Sequence, residues 1–225
     1  MILRIRGLEI DLDFTKNNFC TLEVFHPIFL RQILESFLAK DDEIEDWICR
    51  VYDGEKEIEG GGVLISNPLD LSEVATMLNK KFKKYLTDNF KSLEDDQEFA
   101  KLALRVDDFA QEVATKIDFE VDFDEFNFDK FIKIANFRPR AKPKMNSYKQ
   151  SIYDIIDLMS ELSPNHILCF LNIKHFISQE EFENILQYAS VKEQKVLFLE
   201  SSFGRFYAEN EKIVVVDDDL YTYER

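Results

Sequence analysis

The sequence predicts an α/β fold with a helical insertion. Two continuous apolar runs in the last third, HILCFLN and KVLFLES, are joined by a helical stretch. A strand, crossover helix and strand in that order place parallel strands under cover on both faces. The first seventy residues add further strand patterns around one helix, and residues 71–150 read mostly at a helical period. A domain with a mostly parallel sheet is therefore expected from residues 1–70 and 151–225 together, with a helical domain at 71–150 between its halves.

The elements follow in order. ILRIR, LEIDLDF and FCTLEVF have β character, with Lys16-Asn17-Asn18 as a turn between the last two. Pro27 opens a helix, PIFLRQILESFLA, because proline suits a first turn where its missing N–H costs nothing. WICRVYD is a strand that ends at a tight Asp53-Gly54 turn, and Gly60-Gly61-Gly62 leads into the buried strand VLIS. From Ser72, a helix-capping residue, to Phe90, the residues Val74, Leu78, Phe82, Tyr85 and Leu86 share one helical face. A second helix runs from about Asp96 to Ala114, IDFEVDFD at 117–124 alternates with period two, and NFDKFIKIAN returns to a helical period. NFRPRAKPKMNS, with two prolines, is a loop. YKQSIYDIIDLMSEL, HILCFLN, SQEEFENILQYAS, KVLFLES and KIVVVD read helix, strand, helix, strand, strand, and Ser178 with Glu181 forms a capping box.

Composition narrows the function. Apolar residues at 45% and charged residues at 32% exclude disordered and low-complexity classes. No apolar run reaches the length of a membrane-spanning helix, and the acid-bearing, strand-like start is no signal peptide. Cys20, Cys49 and Cys169 are odd in number, lack any C-x-x-C spacing and lie in apolar stretches, which points to reduced core thiols in a cytoplasmic protein. The net charge is −16, but residues 71–150 hold 15 of the 28 basic residues against 15 acids. That segregation keeps a polyanionic partner in play.

Two basic clusters stand out. Lys80, Lys81, Lys83, Lys84 and Lys91 form the first; at 100° per residue Lys80, Lys84 and Lys91 fall within about 40° of one another, opposite Leu78, Phe82 and Leu86. Such a stripe can track a phosphate backbone without reading bases; the competing reading is a solvated helix face. Arg138, Arg140, Lys142, Lys144 and Lys149 form the second, in an extended proline-spaced loop that is otherwise a soluble linker. The acids Asp118, Glu120, Asp122 and Asp124 would project from one face of a strand about 6.6 Å apart, a strip able to supply oxygens to Ca²⁺ or simply to solvate an edge.

Catalytic constellations are missing. His26, His166 and His175 have no motif partners, and no G-x-x-x-x-G-K-[ST], H-E-x-x-H or G-x-S-x-G occurs. Asp217-Asp218-Asp219 reads as a solvated turn more readily than as a metal site.

Residues 150–220 carry a resemblance. An apolar strand ends in Asn172, the step Phe176-Ile177-Ser178 caps a helix, and the strand Val196-Leu197-Phe198-Leu199-Glu200 follows. This pattern, closed by VVVDDDLYTYE, resembles the ring-forming spacer-acquisition proteins of subtype II-A CRISPR systems, and the element order is similar over nearly the whole chain. The resemblance implies a head like a P-loop ATPase without a working phosphate-binding loop, and an inserted α-helical leg domain. It also implies a homotetrameric ring that encircles double-stranded DNA from free ends in antiviral defence. Structural calcium at the acidic stretch, no bound nucleotide and no catalysis are implied with it, as are the CRISPR integrase complex and the effector nuclease as partners. The Arg138–Lys144 loop is more basic than its usual counterpart in that family, so its role rests on charge alone. The rival reading is an acidic adaptor that binds only proteins.

Overall fold

A computed structural model describes residues 1–8, 10–38, 48–58, 61–70, 72–117, 120–137, 147–209 and 211–225. The chain divides into two compact units, Met1–Ala75 with Ala141–Arg225, and Thr76–Arg140. The first is called the head and the second the leg below.

The head contains two sheets. The small one is antiparallel, in the order β2 (Leu12–Asp13), β1 (Ile2–Ile5), β4 (Cys49–Asp53), β5 (Lys56–Ile58). The alternation of LEIDLDF suggests a longer strand than forms. Gly7 takes a φ of +95°, Leu8 N–H donates to the Ile5 carbonyl, and the hairpin loop leaves only Leu12–Asp13 to pair with β1. Neither β5 nor the last strand, β10 (Thr222–Glu224), is expected from the sequence, because each is short and lacks apolar alternation.

The large sheet runs β10, β9 (Ile213–Val216), β3 (Phe19–Val24), β8 (Lys195–Glu200), β7 (Ile167–Leu171), β6 (Gly62–Ile65). Every pairing is parallel except β10 on β9. The expected α/β class with a mostly parallel sheet is what forms. On one face, Leu22 and Val24 of β3 and Leu197 and Leu199 of β8 share a core with α1 (Pro27–Leu38) and the small sheet. Helices α5 (Tyr148–Leu162) and α6 (Gln179–Val191) belong to the opposite face, where the Phe182 ring lies 4.8 Å from Phe198. The capping box of Ser178 and Glu181 closes the start of α6 as its spacing requires. A 3-10 turn at Ile173–His175 follows β7.

The glycines before β6 serve packing. A Cβ on Gly61 would stand 2.7 Å from Val51 Cβ, and one on Gly62 2.2 Å from the Phe37 ring. Only glycine lets these backbones approach so closely.

The leg holds most of α2 (Ser72–Phe90), a 3-10 turn (Lys91–Asp95), α3 (Gln97–Ala114) and α4 (Phe128–Ala135). Asp96 caps α3 by accepting from Glu98 N–H, and Asn127 caps α4 by accepting from Lys130 N–H. A phenylalanine cluster is its core: Phe99 of α3 lies 5.7 Å from Phe128 and 6.0 Å from Phe131.

Of the alternating stretch 117–124, the described residues 120–124 are not a strand, and 125–127 continue without one. A ladder needs a partner with free N–H and C=O groups, and none lies alongside among the described residues. The segment is pinned from elsewhere: Phe126 N–H donates to Asp107 and its ring stacks 6.2 Å from Phe99. Val121 and Phe123, expected to face inward, are 36% and 47% exposed.

Leu197, fully buried at the middle of β8 with parallel neighbours on both sides, is the test of the head core. Leu197→Ala removes three carbons from a site that cannot collapse, so it should cost about 2–5 kcal/mol in denaturant unfolding.

Candidate nucleic-acid interface

Helix α2 presents the first basic cluster. Residues 77–91 hold five lysines against one acid, Asp88. Leu78 is buried, with Phe82, Tyr85 and Leu86 half-buried on the same side of the helix, while Lys80 and Lys84 are exposed on the other. Lys81 and Lys83 are half-buried beside them. Among the described residues no carboxylate pairs with Lys80, Lys83, Lys84 or Lys91. Burial holds the Lys81 ammonium below its ordinary pKa, and the charges of Lys84 and Lys80 push the same way. Three other lysines of the leg are paired locally, Lys101 with Glu98, Lys116 with Glu112 and Lys130 with Asp124. Positive potential is thus concentrated on α2.

Lys91 departs from the expected stripe. Helix α2 stops at Phe90, and Lys91 begins a 3-10 turn, so the 100° spacing that aligned it with Lys80 and Lys84 does not reach it. Of the second cluster, Arg138, Arg140, Lys142 and Lys144 lie outside the described residues. Lys149 sits on α5 of the head, its ammonium 5.9 Å from the Tyr153 ring.

Asp118 also lies outside the described residues. Glu120, Asp122 and Asp124 are exposed, and Asp124 pairs with Lys130 at 3.4 Å. Ca²⁺ takes six to eight oxygens at once. Among the described residues no three His, Cys, Asp or Glu side chains are placed to hold a metal ion. The three cysteines are buried and unpaired, and burial pushes the Cys20 and Cys49 thiols up to about 12. His26 accepts from Phe29 N–H at the start of α1, and Asp217 accepts from the N–H groups of Asp219 and Tyr221 in the turn before β10.

A charged cluster that the sequence reading missed lies at the carboxyl end of β3. The switch point of the large sheet lies between β3 and β8, since the chain leaving β3 re-enters the sheet at β6 on one side, whereas the chain leaving β8 returns across β3 to β9 on the other. Open α/β sheets place ligands at such a point. Here Glu23 and Glu200 occupy it, opposite one another in the β3–β8 register and both 0% exposed. Lys174, 1% exposed, pairs with buried Glu211, which also accepts from the Thr21 hydroxyl. The ammonium stands 4.5 Å from the Phe182 ring. Gly204 N–H donates to Glu23 at 2.7 Å, and a Cβ there would come within 3.1 Å of the same carboxylate. Three carboxyls face one ammonium. Phosphates entering this end would meet like charge, not the backbone N–H cradle of a phosphate-binding loop. The signal was available in the sequence, since an acid inside a strand covered on both faces must be satisfied internally.

Residues 51–220 match the model of the CRISPR-associated protein family Cas_Csn2. The chain belongs to the Csn2 family. The crystal structure of Stu0660 of Streptococcus thermophilus is similar in fold, with a TM-score of 0.53 at 13% identity over 96% of this chain and 75% of that one. The family assignment agrees with the sequence resemblance, and it gives this chain a CRISPR-associated role. No helix among the described residues is long and apolar enough to cross a membrane.

Lys80 and Lys84 are exposed and make no ion pair among the described residues. Lys80→Gln with Lys84→Gln should leave stability within about 0.5 kcal/mol of the parent. Thermal melts should show a small gain at low salt that vanishes at high salt, because Lys81 loses two like charges.

Proposed function

We propose that this Csn2-family chain is a non-catalytic double-stranded-DNA-binding protein of CRISPR spacer acquisition. Four copies form a ring that takes up DNA at free ends, in the cytoplasm, beside the CRISPR integrase complex and the effector nuclease. The observation that carries the reading is the uncompensated lysine face of α2 on a chain of net charge −16. A lysine row suits phosphates at any sequence, and the acidic head repels DNA from other surfaces. The carboxylates at the end of β3 support a head that binds no nucleotide.

The expected behaviour is sequence-blind and electrostatic. Removing one lysine that meets a phosphate should weaken binding evenly across sequences and shallow the salt slope by about one unit. Lys80→Glu with Lys84→Glu, repeated by symmetry, should nearly abolish binding to linear duplex while the fold persists. A nicked circle should compete poorly with a linear duplex of the same length. Equal affinity for both topologies overturns threading, and full affinity in the double reversal moves the interface to the Arg138–Lys144 loop. The acidity itself favours the rival, an adaptor that binds only proteins; binding to linear duplex that is absent even at low salt would establish it.

Calcium belongs to the same reading as a counter-ion for assembly. Protomers at −16 repel one another, and a bound cation offsets that repulsion. Light scattering should give a tetramer in calcium-containing buffer, and calcium should raise the melting temperature. Asp122→Asn with Asp124→Asn should abolish that gain if the acidic stretch supplies ligands; an unchanged gain places the ligands elsewhere.

A further inference from the structure

The return from β8 to β9 has no helix. Residues 201–212 must travel from the carboxyl end of one parallel strand to the amino end of another, and β3 lies between them. Along this path Ser201 donates to Asn172 and the Phe203 and Phe206 rings pack on Phe25 and Phe182, and three further bonds go to buried charge. Gly204 N–H donates to Glu23, Ala208 N–H donates to Glu211 at 2.9 Å, and the Phe206 carbonyl accepts from Lys174 at 3.5 Å. At Gly204 and Ala208 the strap's amides are held by the carboxylates beneath them.

Those carboxylates are short of partners. Glu200 accepts one bond, from Lys174 N–H at 3.2 Å, and its second oxygen accepts none. Glu23 likewise has one buried oxygen without a hydrogen bond. The ammonium of Lys174 is committed to Glu211. Two adjacent buried carboxyls with no cation of their own cannot both ionise cheaply. A proton on Glu200 supplies the missing donor and removes one of the two charges.

We propose that Glu200 keeps a proton while the 201–212 strap is closed, and that losing it beside the Glu23 carboxylate loosens the strap from the end of the sheet. The groups facing Glu200 are Glu23 on β3, Lys174 after β7, Glu211 in the strap, Tyr148 on α5 and Cys169 on β7. Tyr207 of the strap faces Glu23. Burial, opposed by the Lys174 N–H and ammonium and reinforced by Glu23 and Glu211, pushes the Glu200 carboxyl from 4.5 to about 7. Below about 4.5 open and closed forms are both protonated, and closure is at its strongest. Between 4.5 and about 7 only the closed form keeps the proton, so closure weakens as pH rises, by up to about tenfold per unit. Above that range the loss is complete and closure is again independent of pH.

Hydrogen exchange tests this without reference to DNA, so its failure leaves the ring reading untouched and the reverse also holds. After correction for intrinsic rates, protection of the Gly204 and Ala208 amides should fall at least about tenfold between pH 5 and pH 8. In Glu200→Gln, which keeps the acceptor and cannot ionise, protection should stay level. A parallel fall in that variant, or a flat profile in the parent protein, overturns the proposal. Should Glu200→Gln fail to fold, Glu23→Gln takes its place and should make the fall smaller and end it at lower pH, because Glu200 loses the like charge that raises it. The infrared band of a protonated carboxyl should be present at pH 5.5, fade by pH 8.5 and be missing from Glu200→Gln; its absence at pH 5.5 also overturns the proposal.

Discussion

Strand β3 pairs on both edges and is covered on both faces, so whatever its side chains carry must be satisfied inside the protein. Its even positions, Leu22 and Val24, enter the core with α1 and the small sheet. Its odd positions, Thr21 and Glu23, point to the other face, and neither belongs in an apolar core. The polar network of Glu211, Lys174 and Glu200 exists because of them. The unhelical strap from β8 to β9 follows as well, since its amides are the donors that the carboxylates need. Replacing the whole set with apolar residues of similar volume would be close to neutral for stability; removing one member leaves a buried charge behind.

That network makes the carboxyl end of the large sheet unlike a phosphate site. Phosphate sites at a sheet's carboxyl end need backbone N–H groups, a helix start and a cation free to face the ligand. At this end the cation is committed to Glu211, the strap covers the strand ends, and the excess charge is negative. The glycines that a motif search would inspect, Gly61 and Gly62, instead admit Val51 and Phe37.

Charge is distributed between the units so that each has one task. Buried acids organise the head, and the lysines of α2 give one helix of the leg a locally positive face, although residues 76–140 as a whole hold 12 basic residues against 14 acids. A side-chain ammonium with no local carboxylate is strongly solvated, which is why it costs folding little and remains available to an anion. The acidic remainder of the chain narrows where a polyanion can approach.

The sequence by itself determined the elements whose pattern is local. HILCFLN and KVLFLES form strands buried on both faces, Ser178 and Glu181 cap α6, and Pro27 opens α1, because period and capping depend on neighbours a few residues away. The lysine face of α2 was legible for the same reason, up to the residue where the helix ends. Only the tertiary structure decided what depends on distant partners. IDFEVDFD alternates like a strand, yet its described residues 120–124 form none, because a ladder is made by a second strand and none pairs with them among the described residues. Glu23 and Glu200 are 177 residues apart in sequence and adjacent in the sheet, so their shared shortage of donors arises only when β3 and β8 pair in register.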